Sequence, residues 1–167
     1  MRVSLALLVA SVAVVPAALT GCGGELPTSS ETVKLAIIGG AEHGGRPLST
    51  HMTQEVTSVP VWAGDPDGTG SALLTVNLGK GEICWELTVS DILLPATASH
   101  IHEAAPGIRG AIVVGLSAPN AAGQSSGCRS DVDRDLIRRI LQTPASFYVN
   151  VHNADFPPGA IRGQLPE

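Results

Sequence analysis

A chain of 167 residues has room for one modest domain and accessory segments. A net charge of −5 with no basic cluster argues against a nucleic acid partner, because phosphate neutralisation needs a patch of Lys and Arg. Aromatic residues make up only 3 % of the chain, so a core here must be built from Val, Ile and Leu.

The chain opens with an export address over residues 1–21. Arg2 is a positive n-region, and Val3–Leu19 is an apolar stretch interrupted by small residues and Pro16. Leu19-Thr20-Gly21-Cys22 resembles the bacterial lipobox, in which cleavage before Cys22 leaves that thiol to carry lipid; an ordinary secretory signal with an incidental Cys is the other reading. Acyl chains contribute about 0.8 kcal/mol per buried methylene, and several together anchor a protein stably. The expected location is the bacterial cell envelope, with a lipid-anchored (palmitate-type) attachment to the outer face of the cytoplasmic membrane, or export. Residues 22–45 read as the lipidated N-terminus and a flexible tether. Val33–Ile38 is apolar enough for a strand, and Ala41–Pro47 reads as linker.

With Cys22 given to lipid, Cys84 and Cys128 remain. An even remainder in an exported chain predicts one disulfide, the alternative being two free buried thiols. Its loop of about 43 residues would be worth roughly 4 kcal/mol in the chain-entropy account. The reading places Cys84 in a strand and Cys128 in a loop.

The domain then occupies residues 46–167. Glu55–Trp62 reads as an edge strand interrupted by Pro60, and Asp65–Gly70 as a plain turn rather than a calcium loop, since it lacks the closing Glu. Ala72–Leu78 and Glu82–Val89 read as a hairpin joined by Gly79-Lys80-Gly81. In the second of these, Ile83, Trp85, Leu87 and Val89 share a face, with Cys84 and Glu86 opposite. Ser99–Glu103 and Ala111–Leu116 are further strands, separated by a turn at Pro106-Gly107; Ala118–Gly127 is a small polar loop. Ser130–Leu141 is the one helix, with Ser130 as N-cap and Val132, Leu136, Ile137, Ile140 and Leu141 as its apolar stripe, lying as a lid on one end of the sheet. Phe147–His152 and Ala160–Leu165 close the domain as two strands about a tight Pro157-Pro158-Gly159 turn. Many short strands and one helix give a mainly β fold: an antiparallel β-sandwich or partly closed Greek-key barrel.

Two stretches, Ser99–Leu116 (SHIHEAAPGIRGAIVVGL) and Tyr148–Leu165 (YVNVHNADFPPGAIRGQL), resemble the signatures of the CHRD (chordin-type) domain. With GDPDGTGSALLTVNLGKGEICWELTVSDI before them, the resemblance runs from Arg46 to Leu165. It implies a β-domain and carries no defined biochemical role; the reading taken for the whole chain is a non-catalytic binding or structural module of unspecified ligand, with a cell-envelope or extracellular protein as partner. The chain departs from the family pattern at Ala104, where Gly is usual, and at Ala111, where Pro is usual. An early family stretch survives only as Gln54-Glu55-Val56.

The candidate site is His100, His102 and His152. Two histidines at i, i+2 on a strand share a face, and a third on the closing hairpin would complete a set suited to Cu or Zn, with Glu103 or Asp155 as a carboxylate. The competing reading is a polar patch of the same histidines with Asn150 and Arg162, in which Arg162 pairs with Glu103 or Glu86. The H-x-H pair in an exported sandwich also resembles copper–zinc superoxide dismutases, whose paired metal sites need more histidines than the five present. Gly123-Gln124-Ser125-Ser126-Gly127 has the letters of Gly-x-Ser-x-Gly but falls in the small polar loop rather than at a strand-to-helix elbow, and no Walker A loop or dinucleotide fingerprint occurs, so no enzyme is expected.

Overall fold

The structure, a computed structural model, describes residues 44–58 and 60–167. The signal segment, Cys22, Val33–Ile38 and the tether as far as residue 43 lie outside the described residues.

Ten strands form among the described residues, most where alternation predicts them. These are β1 (Arg46–Gln54), β2 (Val56–Ser58), β3 (Val61–Ala63), β4 (Thr69–Asn77), β5 (Glu82–Ser90), β6 (Ala98–Glu103), β7 (Ala111–Leu116), β8 (Gln124–Arg129), β9 (Phe147–His152) and β10 (Ile161–Gln164). Eight of them make one antiparallel sheet in the order β7-β6-β9-β10-β1-β4-β5-β8, while β2 and β3 pair separately. The sheet curls into a nearly closed barrel. Strand β1 switches partner part-way: Arg46–Met52 pair with β4, and Thr53 and Gln54 with β10. The margins β7 and β8 are bridged by side chains rather than a ladder. Arg129 Nη2 donates to Gly115 O at 3.4 Å, and Ser125 Oγ donates to Ser117 O at 2.6 Å.

The interior is aliphatic, as the composition requires. Leu48, Met52, Leu74, Ile83, Leu87, Ile101, Val149, Val151 and Ile161 are buried there, joined by Trp85 and Phe147. The period-2 reading of β5 holds, with Ile83, Trp85, Leu87 and Val89 inward and Glu86 and Thr88 exposed. Fully burying one such side chain contributes about 1.5–3 kcal/mol. The β4–β5 hairpin turns through Gly81, whose φ of +68° a side chain would strain.

Several expectations are corrected. Residues 55–62 are not one interrupted strand. Pro60 sits at the reversal of a small hairpin, in which Val56 pairs with Ala63 and Ser58 with Val61. The second half of the 118–127 loop is strand β8, so Cys128 lies on a strand, directly opposite Cys84. The predicted disulfide joins them, 44 residues apart in sequence, and fixes the margin strand to β5. The linker ends sooner than Pro47, because Arg46 already pairs with Val76.

The helix, α1 (Arg134–Gln142), begins four residues later than the Ser130 reading. Asp131 takes a φ of +58°, and Val132 N–H donates to Gly81 O, so this segment is committed to the β4–β5 turn. Asp133 is the N-cap and accepts from the N–H groups of Asp135 and Leu136. These bonds hold the Asp133 carboxyl below its ordinary pKa. Leu136, Ile137 and Ile140 face the core, and Pro144 opens a short 3-10 turn after the helix. Arg46 Nη1 donates to Leu141 O and Arg134 Nη2 to Gly79 O, so α1 lies across the barrel end where β1 begins and β4 finishes.

Candidate functional site

The outer face of β6, β9 and β10 carries a polar lattice. Asn150 on β9 stands between His100 on β6 and Arg162 on β10, and Tyr148 stands between His102 and Gln164. His152 lies opposite Ala98. Their neighbours in the strands, Ile101, Val149, Val151 and Ile161, point to the core, so the lattice faces away from it. Such a face would ordinarily be wet. Here Tyr148 and Asn150 are no more than 1 % exposed.

Three segments roof it. The connection after β9 is not a tight turn; residues 153–160 fold back, and His152 Nδ1 pairs with Pro157 O at 2.9 Å. The β2–β3 hairpin covers the same side: Trp62 Nε1 donates to Gly159 O, and Ser58 N–H donates to Gly107 O. The 104–110 loop is held by Arg162, which donates to Ile108 O at 2.7 Å and Ala105 O at 2.9 Å. The Arg162 guanidinium also sits 3.3 Å from the Tyr148 ring centre, a cation–π contact.

Beneath the roof lies a hydrogen-bonded run. His102 Nδ1 meets Gly110 O at 2.9 Å, and its Nε2 meets Asn150 Oδ1 at 3.1 Å. Asn150 Nδ2 donates to Glu55 Oε2 at 3.2 Å. Glu55, between β1 and β2, is fully buried, and its Oε1 has no hydrogen-bond partner. Burial pushes its pKa above the ordinary carboxylate value; the bond from Asn150 and the charges of Arg162 and Arg109 act the other way. Gly159 at φ +147° makes room for this carboxylate, since a Cβ there would overlap Oε2.

His100 Nδ1 and His152 Nε2 stand 3.1 Å apart. One ring nitrogen from each of His100, His102 and His152 falls within 4.8 Å of the others. Burial lowers the pKa of all three imidazoles; it is opposed at His100 by Asn150, at His102 chiefly by the bond to Gly110 and at His152 by the bond to Pro157.

The three histidines are thus brought together, with Asn150 and Arg162 beside them. Glu103 is not part of this group. It pairs with Arg139 of α1 through both carboxylate oxygens, at 3.2 Å each, so Arg162 spends its donors on loop carbonyls and Gln164 instead. Glu55, Tyr148 and Gly110 were not singled out by spacing. The signal for Glu55 was its place in Gln54-Glu55-Val56, the remnant of the resemblance.

Residues 48–165 match the CHRD domain family. The chain belongs to this family. The match begins inside β1 and ends just beyond β10, so it spans the barrel and both signature stretches. Comparison with curated proteins and with solved structures finds no match.

Proposed function

We propose that this protein is an exported, lipid-anchored component of the bacterial cell envelope whose CHRD domain is a non-catalytic binding and structural module. The observation that carries the reading is the Cys84–Cys128 disulfide. Such bridges form and persist in oxidising compartments, outside the cytosol. The lipobox-like Leu19-Thr20-Gly21-Cys22 supplies the route and the anchor. The CHRD family supports a binding rather than a catalytic role. The acidic, Lys-poor composition favours a protein partner in the envelope over nucleic acid.

The test is expression of the full chain in a bacterial host fed labelled palmitate. The native chain takes up label and sediments with membranes, while Cys22→Ala is unlabelled. Alkylation without reduction leaves Cys84 and Cys128 untouched, and reduction exposes both. A native chain that stays unlabelled would retire the anchor; free thiols at both positions would retire export.

A second reading, a metal protein built on the histidines, is favoured by the His100–His152 contact and is independent of anchoring.

A further inference from the structure

The geometry points to a binding site for one divalent transition ion of the copper–zinc class, formed by His100, His102 and His152 with the amide oxygen of Asn150.

Within each of two neighbouring pairs the spacing fits one ion, and the three rings each bring a nitrogen within 4.8 Å of the others. Imidazole nitrogens bind Zn at about 2.0–2.1 Å, so two neighbouring ligands stand about 2.9–3.4 Å apart. The His100 Nδ1 to His152 Nε2 separation is 3.1 Å, and that from His102 Nε2 to Asn150 Oδ1 is also 3.1 Å.

The rings are already oriented. Metal-bound histidines characteristically give their second N–H to a carbonyl, which fixes the tautomer. His102 does so to Gly110 O and His152 to Pro157 O, leaving Nε2 of each ring with its lone pair free to coordinate. His100 would then coordinate through Nδ1, its proton residing on Nε2.

The amide is oriented as well. Asn150 Nδ2 is engaged by the buried Glu55 carboxylate, which turns Oδ1 toward the imidazoles. A neutral His102 has one N–H for two acceptors, Gly110 O and Asn150 Oδ1. With that N–H on Nδ1, two lone pairs face each other across His102 Nε2 and Asn150 Oδ1, and a cation bound by both atoms satisfies both.

Charge is also provided for. Arg162 acts on His102 and Arg109 on His152, and both would repel a dication. The Glu55 carboxyl, bonded to Asn150, stands behind the ligands with its Oε1 unpartnered, an acid placed where a dication would draw out its charge. Imidazole-rich sets suit Cu and Zn, and Cu(II) should bind more tightly than Zn(II).

The test is titration of the full chain in detergent, disulfide intact, with Cu(II) and then Zn(II) by calorimetry. One ion per chain is expected. The double variant His100→Ala/His152→Ala should bind at least about a hundredfold more weakly, and Asn150→Ala roughly 10- to 100-fold more weakly. His51→Ala, an exposed histidine on β1, should bind as the native chain does. Far-UV circular dichroism shows whether each variant folds. Independently of any variant, the Cu(II) spin-resonance spectrum of the native chain should carry hyperfine structure from three imidazole nitrogens. Absence of stoichiometric binding, a spectrum without that structure, or a folded double variant that binds normally would overturn the site.

Discussion

Asn150 Nδ2 donates to Glu55 Oε2 at 3.2 Å, joining residues 95 positions apart in the chain. The bond ties the end of β1 to the middle of β9 and engages a buried acid that forms no salt bridge among the described residues. Replacing Glu55 with Gln keeps the shape and removes the charge. Because the folded pKa of Glu55 is raised, the native state holds its proton more tightly than the unfolded chain. Its contribution is fully present below the ordinary value near 4.5 and is lost as pH rises through the folded value. The histidines act oppositely: their lowered pKa values give stability present above 6.5 and lost as pH falls through the folded values. Urea midpoints of native and Glu55→Gln chains across pH 4 to 9 separate the two. The histidine part cancels in the difference, so the gap should shift in favour of Glu55→Gln as pH rises. A gap independent of pH would show that Glu55 does not titrate in the folded range.

Gly159 makes the approach of Glu55 sterically feasible. Gly159→Ala places a Cβ on Oε2 in a backbone conformation that side chains avoid. It should cost about 3 kcal/mol in urea unfolding. Gly107→Ala is the control, because Gly107 also has positive φ but nothing lies within 4 Å of its Cβ position. It should cost only about 1 kcal/mol. Equal losses would mean that backbone strain alone matters at Gly159.

Reducing the Cys84–Cys128 bridge should lower stability by up to about 4 kcal/mol without changing the fold. Urea unfolding with and without reductant measures the loss, and far-UV circular dichroism checks the fold. An unchanged midpoint would mean that β8 is held by its ladder and Trp85 alone.

Asp133, not Ser130, caps α1. Asp133→Ala should lower the thermal midpoint, and the loss should shrink as pH falls and the native carboxylate protonates. Ser130→Ala should leave the midpoint where it was. The reverse pattern would put the helix start back at Ser130.

Much of the barrel is legible in single side chains. The alternation Ile83, Trp85, Leu87, Val89 is a strand with one buried face, and Leu136, Ile137, Ile140 is one face of a helix. Strand β8 is not legible, because Gln-Ser-Ser-Gly-Cys-Arg has little intrinsic β preference. It is extended because Cys128 is bonded to Cys84 and Gly127 lets Trp85 pack against it. At the candidate site, the i, i+2 spacing of His100 and His102 places both rings on one face, and the pattern Tyr148, Asn150, His152 does the same. Sequence does not show that this face is roofed. The roof comes from Trp62, Ser58 and residues 153–160, and its contacts are set by tertiary approach rather than by any local pattern.

The seam between β7 and β8 makes the barrel a strip whose two long margins meet without being sewn together. The margins are unequal. β8 is riveted to its neighbour by a covalent bond, whereas β7 has a ladder only to β6, across a register break that skips Val113, and meets β8 through the Arg129 bond to Gly115. A strip held this way peels from its loose margin, so excursions toward the open state begin at β7. The first strand laid bare behind it is β6, which carries His100 and His102. Opening at β7 frees the edge of that strand, while the roof over the rings is held by separate contacts.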